Sequence, residues 1–168
     1  TAIIIFIGDG LPIFYIQKRV GINGKLFDLY KFRSMHREAD KFSHTTFKND
    51  KRIFKAGKLL RQYKIDELAQ LLNVLKGDMS VVGPRPTVLE DYKKMTIAQK
   101  KRFDIAPGLT GLAQVSGNTA LKWPERSRLD LEYIEKKNFL YDCRIILQTV
   151  ILILTNKIET NTNDDGEW

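Results

Sequence analysis

Apolar and polar positions alternate or recur along the chain in ways that predict its elements. Residues 13–17 and 27–32 are short runs rich in β-branched and aromatic side chains, with Gly21-Ile22-Asn23-Gly24 between them. Asn-Gly between two such runs signals a hairpin, because both residues tolerate the positive φ of a tight turn. The expected β-hairpin delivers Lys31 and Arg33 near the end of its second strand. Residues 37–55 are polar, hold a turn signal at Asn49-Asp50, and read as a helix–loop connection. Gly57 is expected to break the chain ahead of a basic helical stretch over residues 58–64. Leu68, Leu71, Leu72 and Leu75 then recur at helical spacing and predict a buried core stripe, with Gly77 as the stop. This helix either starts at Asp66, as N-cap or first-turn residue, or runs unbroken from Gly57 to Lys76. In both versions Asp66 points to the accessible side.

Farther on, Pro84 and Pro86 exclude a helix around Arg85, so residues 81–86 form a stiff extended or turning loop that fixes where Arg85 points. Residues 87–102 read as helical. Residues 107–111 read as a Gly/Pro loop leading into a short strand at 112–115. Residues 120–137 and 141–156 read as two more helices. The opening run Ala2-Ile3-Ile4-Ile5-Phe6-Ile7 is a buried strand or the end of a longer apolar segment. It and residues 145–154 both fall short of the roughly 20 residues that a bilayer-crossing helix needs. The second run suits a core helix or one lying in a membrane interface. The sum is a mixed α/β chain, mostly helical, with a small hairpin sheet.

Composition narrows the function. The 168 residues, 43% of them hydrophobic, suit a single domain over 1–168, with 160–168 as a polar, frayed tail. Residues 1–64 hold 14 Lys and Arg against 5 Asp and Glu, whereas 65–168 hold 14 against 15. The basic half points to a polyanionic partner: nucleic acid, an anionic membrane face or a phosphorylated substrate. No nucleic-acid motif supports the first, so nucleic acid is not expected as a partner. Cys143 is the only cysteine, which rules out an internal disulfide; its apolar surroundings predict a buried, inert thiol. His36 and His44 lack the companions a zinc site needs. Neither a P-loop nor a Gly-x-Gly-x-x-Gly pattern occurs.

Within this basic chain Asp66 and Glu67 stand side by side. A carboxylate can attack phosphorus to give an acyl phosphate, and Mg²⁺ takes one or two protein carboxylates while keeping its waters. Lys31, Arg33, Arg61 and Arg85 arrive from three segments with donors suited to phosphate oxygens. Such cations and a helix N-terminus would keep Asp66 ionised. The plainer reading makes Asp66 a helix cap and Glu67 a surface charge.

Five motifs now stand in order: Gln17-Lys18-Arg19-Val20-Gly21, Lys31-Phe32-Arg33-Ser34-Met35, Asp66-Glu67-Leu68-Ala69-Gln70, residues 77–86 (Gly-Asp-Met-Ser-Val-Val-Gly-Pro-Arg-Pro) and Pro107-Gly108-Leu109-Thr110-Gly111. Over residues 8–156 the chain resembles the bacterial sugar transferases, the monotopic phosphoglycosyl transferases. The resemblance implies a membrane-associated monotopic catalytic domain. It would move a sugar-1-phosphate from a UDP-sugar to undecaprenyl phosphate and release UMP, at the inner face of the bacterial membrane. Asp66 would form the covalent phosphosugar intermediate, Glu67 would bind Mg²⁺, and Lys31, Arg33, Arg61 and Arg85 would bind substrate. A homodimer is compatible with the family. The resemblance also implies a preceding re-entrant membrane helix, of which residues 3–7 read as a remnant. Two positions depart from the family pattern: Ala69 stands where proline is usual, and Gly117-Asn118-Thr119 replaces Gly-Arg-Asn. A second reading, resting only on the basic half, is a non-catalytic module that binds anionic membrane lipid.

Overall fold

A computed structural model describes residues 1–37, 39 and 50–155. Most of the connection expected over 37–55, and the tail 160–168, lie outside the described residues.

The hairpin forms as expected. Strand β1 (Phe14–Val20) pairs antiparallel with β2 (Leu26–Phe32), Phe14 facing Phe32 and Val20 facing Leu26. Asn23 and Gly24 take the turn's positive φ values, 54° and 75°. Ahead of it, residues expected as a strand or the end of an apolar segment form helix α1 (Ala2–Asp9), whose Ile5 packs with Phe54 and Leu60.

Helix α2 (Lys55–Gln62) runs through Gly57 instead of starting after it. A Cβ at Gly57 would lie 2.0 Å from the carbonyl oxygen of Ser34. Glycine is needed here for close approach to the backbone beyond β2, not for a break. The break falls at Lys64, in the left-handed region with φ 54°. A 3₁₀ stretch, Ile65–Gln70, then leads into α3 (Leu71–Lys76), which stops at Gly77 with φ 82°.

Along this segment the expected inside and outside are exchanged. Leu68, Leu71, Leu72 and Leu75 are exposed, Leu75 at 84%, while Asp66, Ala69, Gln70 and Asn73 are buried. Asn73 supplies the reason. It is fully buried; its Oδ1 accepts from the Tyr30 amide (3.0 Å), and its Nδ2 donates to the Asp28 carbonyl (2.7 Å) and to Asp78 Oδ2 (3.2 Å). The amide thus takes the place of a third strand on the outer edge of β2, where unpaired backbone groups are costly. Satisfying that edge turns the polar face inward and the leucines outward.

A second, parallel pair joins β3 (Ser80–Val82) to β4 (Gly108–Thr110). Residues 112–115, expected as a strand, form helix α6 (Leu112–Val115); the strand lies just before them. The span 87–102 splits into α4 (Leu89–Lys94) and α5 (Ile97–Lys100), the latter opened by a capping box between Thr96 and Gln99. Helices α7 (Trp123–Lys136) and α8 (Phe139–Leu154) follow, close to expectation. Only Ile145 of α8 is buried, and Cys143, expected buried, is exposed. Among the described residues no helix is long and apolar enough to cross a membrane.

Gly57→Ala drives a methyl into backbone and should cost about 3 kcal/mol, a fall of about 6–12 °C in melting temperature. Gly77→Ala meets no atom within 4 Å and should cost only about 1 kcal/mol for its left-handed φ. Equal melting temperatures for the two variants would contradict the close packing of α2 on Ser34.

Candidate active site

The carboxylate pair sits where three elements converge. Lys64 lies two residues past the end of α2, and the 3₁₀ turn that it opens projects Asp66 and Glu67 toward β2 and the loop after β3. Glu67 Oε1 accepts from Lys31 Nζ of β2 at 3.2 Å and from Arg85 Nη2 at 2.7 Å. Burial works against ionisation of Glu67, but the charges of Arg85, Lys31 and Lys64 outweigh it and hold its pKa well below the ordinary glutamate value.

Asp66 behaves in the opposite way. Expected on the accessible side, it is only 7% exposed, and its Oδ1 is buried with no hydrogen-bond partner among the described residues. Its pKa is raised, first by burial and then by the Glu67 charge; Lys31, Arg61 and Lys64 pull it back only in part. The two neighbours therefore split into a firmly ionised, cation-clamped glutamate and a more basic aspartate.

The Arg85 loop is pinned on several sides. Gly83 N donates to Thr110 O (2.8 Å) and Gly108 N to Pro84 O (2.9 Å). A Cβ on Gly108 would come within 2.1 Å of Gly83 N, so this parallel pair needs glycine for contact. Arg102 Nη2 donates to the Arg85 carbonyl at 3.0 Å, and Val20 N to Thr87 O at 2.9 Å. The loop direction expected from its prolines is thus enforced by backbone bonds.

The structure brings Lys31, Arg85, Asp66 and Glu67 together, with the Arg61 charge felt at Asp66. Arg33 is not among them. Its Nε donates to Pro12 O (2.7 Å), its Nη2 to the carbonyls of Asp9 (2.9 Å) and Gly10 (2.6 Å), and its Nη1 pairs with the Asp9 carboxylate. Arg33 therefore caps the C-terminal end of α1, where carbonyls lack helical partners. Lys64, Arg19 and Arg102 escaped assignment from sequence. Arg19 lay inside a quoted motif, the one signal available, whereas Lys64 acts through a left-handed backbone that sequence does not announce.

Two cavities meet at Arg85. One, of about 170 Å³, is lined by Arg19, Arg85, Arg102, Gln114 and Trp123 among others. The other, of about 180 Å³, runs from Lys64, Glu67 and Arg85 along Val81, Leu109 and the Ile146, Val150 and Ile153 side of α8. Arg85, Gln114 and Asn118 line both. The second is a mostly apolar groove with a charged end.

The residues fit Mg²⁺. Asp66 Oδ1 is an unpartnered buried oxygen beside a second carboxylate, and Mg²⁺ asks for no more than one or two. Among the described residues no group of three or more His, Cys, Asp and Glu suits a more demanding ion.

The family model for bacterial sugar transferases matches residues 1–156. The uncharacterized sugar transferase EpsL of Bacillus subtilis (strain 168) is 40% identical over 163 residues, covering 97% of this chain and 80% of that protein. The galactosyl transferase CpsE of Streptococcus agalactiae serotype III (strain NEM316) is 42% identical over 87% of this chain. A UDP-glucose:undecaprenyl-phosphate glucose-1-phosphate transferase of Escherichia coli (strain K12) is 39% identical over the same share. The chain spans only 35% and 33% of the lengths of these last two.

Opposite pKa shifts predict opposite stability effects. The stability linked to the raised Asp66 pKa is fully present below the unfolded value of 3.8 and is lost as pH rises through the folded pKa. The depressed Glu67 pKa stabilises above the unfolded value of 4.5 and is lost as pH falls through the folded one. At pH 7, Asp66→Asn should raise the melting temperature, with the gap narrowing toward pH 4. Glu67→Gln should lower stability at pH 7 by about 1–3 kcal/mol, since the Arg85 and Lys31 partners are partly exposed. Thermal melts of both variants at the two pH values check this; a lower melting temperature for Asp66→Asn at pH 7 would contradict it.

Proposed function

The chain belongs to the bacterial sugar transferase family, and from that premise we propose that it transfers a sugar-1-phosphate from a UDP-sugar to undecaprenyl phosphate in two steps, through Asp66. The observation that carries this reading is the buried, unpartnered Oδ1 of Asp66 beside a glutamate already neutralised by Lys31 and Arg85. A raised pKa makes the ionised aspartate a stronger nucleophile than an exposed carboxylate, and burial removes the water that would blunt it.

In the first step an Asp66 oxygen bonds to the sugar-bearing phosphorus as the bond to the bridging oxygen breaks. UMP departs with the electron pair. In the second step an oxygen of undecaprenyl phosphate attacks the same phosphorus, and Asp66 leaves as carboxylate. Lys31, Arg61, Lys64 and Arg85 hold the phosphate oxygens and offset the repulsion between anions. Mg²⁺ held by Glu67 would neutralise further phosphate charge. The apolar groove ending at Lys64 and Arg85 suits a phosphate with a long isoprenoid tail. The exposed leucines and the apolar face of α8 suit a domain resting on the cytoplasmic face of the inner membrane, where the basic residues meet anionic headgroups. The product would start a surface polysaccharide, the setting named for ExoY of Sinorhizobium fredii (strain NBRC 101917 / NGR234), an exopolysaccharide production protein 35% identical over 84% of this chain.

Protein incubated with UDP-sugars, undecaprenyl phosphate and Mg²⁺ should release UMP, and EDTA should abolish release until Mg²⁺ is restored. Asp66→Asn should cut turnover about 1,000-fold or more while the protein stays folded. With UDP-sugar alone, intact-mass spectrometry should find the wild type heavier by one sugar phosphate. Undiminished turnover in Asp66→Asn, or inversion at the transferred phosphorus, would rule the two-step route out.

A further inference from the structure

The cavity on the far side of Arg85 from the apolar groove has a wall that the fold leaves unfinished. Arg19 Nε, Arg102 Nε and Nη1, and both amide atoms of Gln114 are buried without a hydrogen-bond partner among the described residues, and all three residues line this cavity, Gln114 where it borders the groove. Buried polar atoms are almost always paired, because leaving one unpaired costs about 1–3 kcal/mol, and more when it is charged. Five such atoms on the residues that line one cavity mark a place built for something other than protein.

The neighbouring bonds show what remains spare. Arg102, 3% exposed, spends Nη2 on Asp130 (2.8 Å) and on the Arg85 carbonyl (3.0 Å), leaving Nε and Nη1 unused. Arg19 Nη2 donates to Gln17 Oε1 at 2.7 Å, leaving Nε unused. The Trp123 ring lies 5.5 Å from the guanidinium carbons of both Arg102 and Arg126, so these cations are held in place by its faces. Arg19 feels the crowding: burial and the nearby Arg85 lower its pKa to about 10. Among the described residues four arginines line the cavity against two carboxylates, Asp91 and Asp130.

Each spare atom constrains the ligand. The arginine nitrogens need acceptors, and phosphate oxygens are the fitting ones. Gln114 needs a partner that offers an acceptor and a donor side by side, which the hydrogen-bonding edge of a nucleobase does; for uracil these are the C4 carbonyl and N3–H. Arg85 connects the cavity to the carboxylates: it bonds Glu67 at 2.7 Å and also lines this wall. A diphosphate lying across Arg85 therefore presents one phosphorus to Asp66 and sends the other into the cavity.

We propose that this cavity seats the nucleoside monophosphate half of the donor, with Gln114 reading the base edge and Arg19 and Arg102 receiving the phosphate. The inference rests on the phosphoglycosyl transfer proposed above and assigns its leaving group. As the Asp66–phosphorus bond forms and the bridging P–O bond breaks, the electron pair departs onto the monophosphate, whose new charge falls among these arginines.

Titration calorimetry of the protein with UMP and with ribose 5-phosphate tests the assignment. Gln114→Leu should weaken UMP binding about 10- to 100-fold and leave ribose 5-phosphate unchanged. Arg19→Gln should weaken both ligands by a similar factor. Should Gln114→Leu melt early, Gln114→Glu keeps the shape and replaces the donor, and the same UMP-selective loss is expected. UMP affinity equal to wild type in the folded Gln114 variants overturns the assignment. If the wild type releases UMP from a UDP-sugar while these variants keep their affinity and KM, only the pocket assignment falls. If no UDP-sugar yields UMP at all, the reaction itself is wrong.

Discussion

The carboxylate of Glu67 is held between Lys31 and Arg85, and much of the molecule follows from that contact. Withdrawing two adjacent carboxylates from water is unfavourable unless cations arrive with them. One cation comes on a strand and the other on a proline-flanked loop, so the hairpin register, the loop and the turn between α2 and α3 must all be right at once. The glycines that let β4 touch the backbone of Gly83 serve this alignment, as does Arg102 bonding the Arg85 carbonyl. With Glu67 satisfied, the burden of burial falls on Asp66, whose raised pKa expresses it.

A second consequence is the exterior. The stretch that carries the carboxylates must also close the outer edge of β2, which it does through Asn73. Its polar face is consumed inward and its leucines have nowhere to go but out. Helix α8 also leaves apolar residues outside: it meets the body through Ile145 and Tyr141, through Asp142, which accepts from the Tyr133 hydroxyl at 2.7 Å, and through the paired hydroxyls of Thr110 and Thr149, also 2.7 Å apart. On the proposed reading these apolar surfaces and the apolar groove serve a single requirement, that a lipid phosphate be able to reach a charged, buried carboxylate.

What could be read from the sequence was what depends on local chemistry. Asn23-Gly24 set the hairpin turn, Gly77 ended α3, the prolines kept Arg85 out of a helix, and the last two helices fell near their expected bounds. What could not be read was set by distant partners. Helical spacing shows that four leucines share a face but not which medium that face meets. Gly57 looks like a breaker until Ser34 is known to press against it. Arg33 has the residue type and spacing of a phosphate ligand, yet Asp9 and the end of α1, more than twenty residues away in sequence, claim it. Asp66 reads as accessible in the sequence because a short polar side chain near a helix start usually is.

The placement of the two cavities bears on why a covalent route would suit this site. They open on either side of Arg85 and, among the described residues, share that arginine, Gln114 and Asn118 in their linings. A single-step transfer would require the nucleotide and the lipid phosphate to crowd the same phosphorus together, with only one shared arginine between two polyanions. On the proposed two-step reading, parking the phosphosugar on Asp66 would separate the two arrivals in time, so that each anion could use Arg85 in turn. Asn118 sharpens the point. At the junction this residue places a neutral amide, held at φ 51°. With no second cation at that junction position, Arg85 is the cation common to both linings, and taking turns becomes a matter of electrostatics as much as of space.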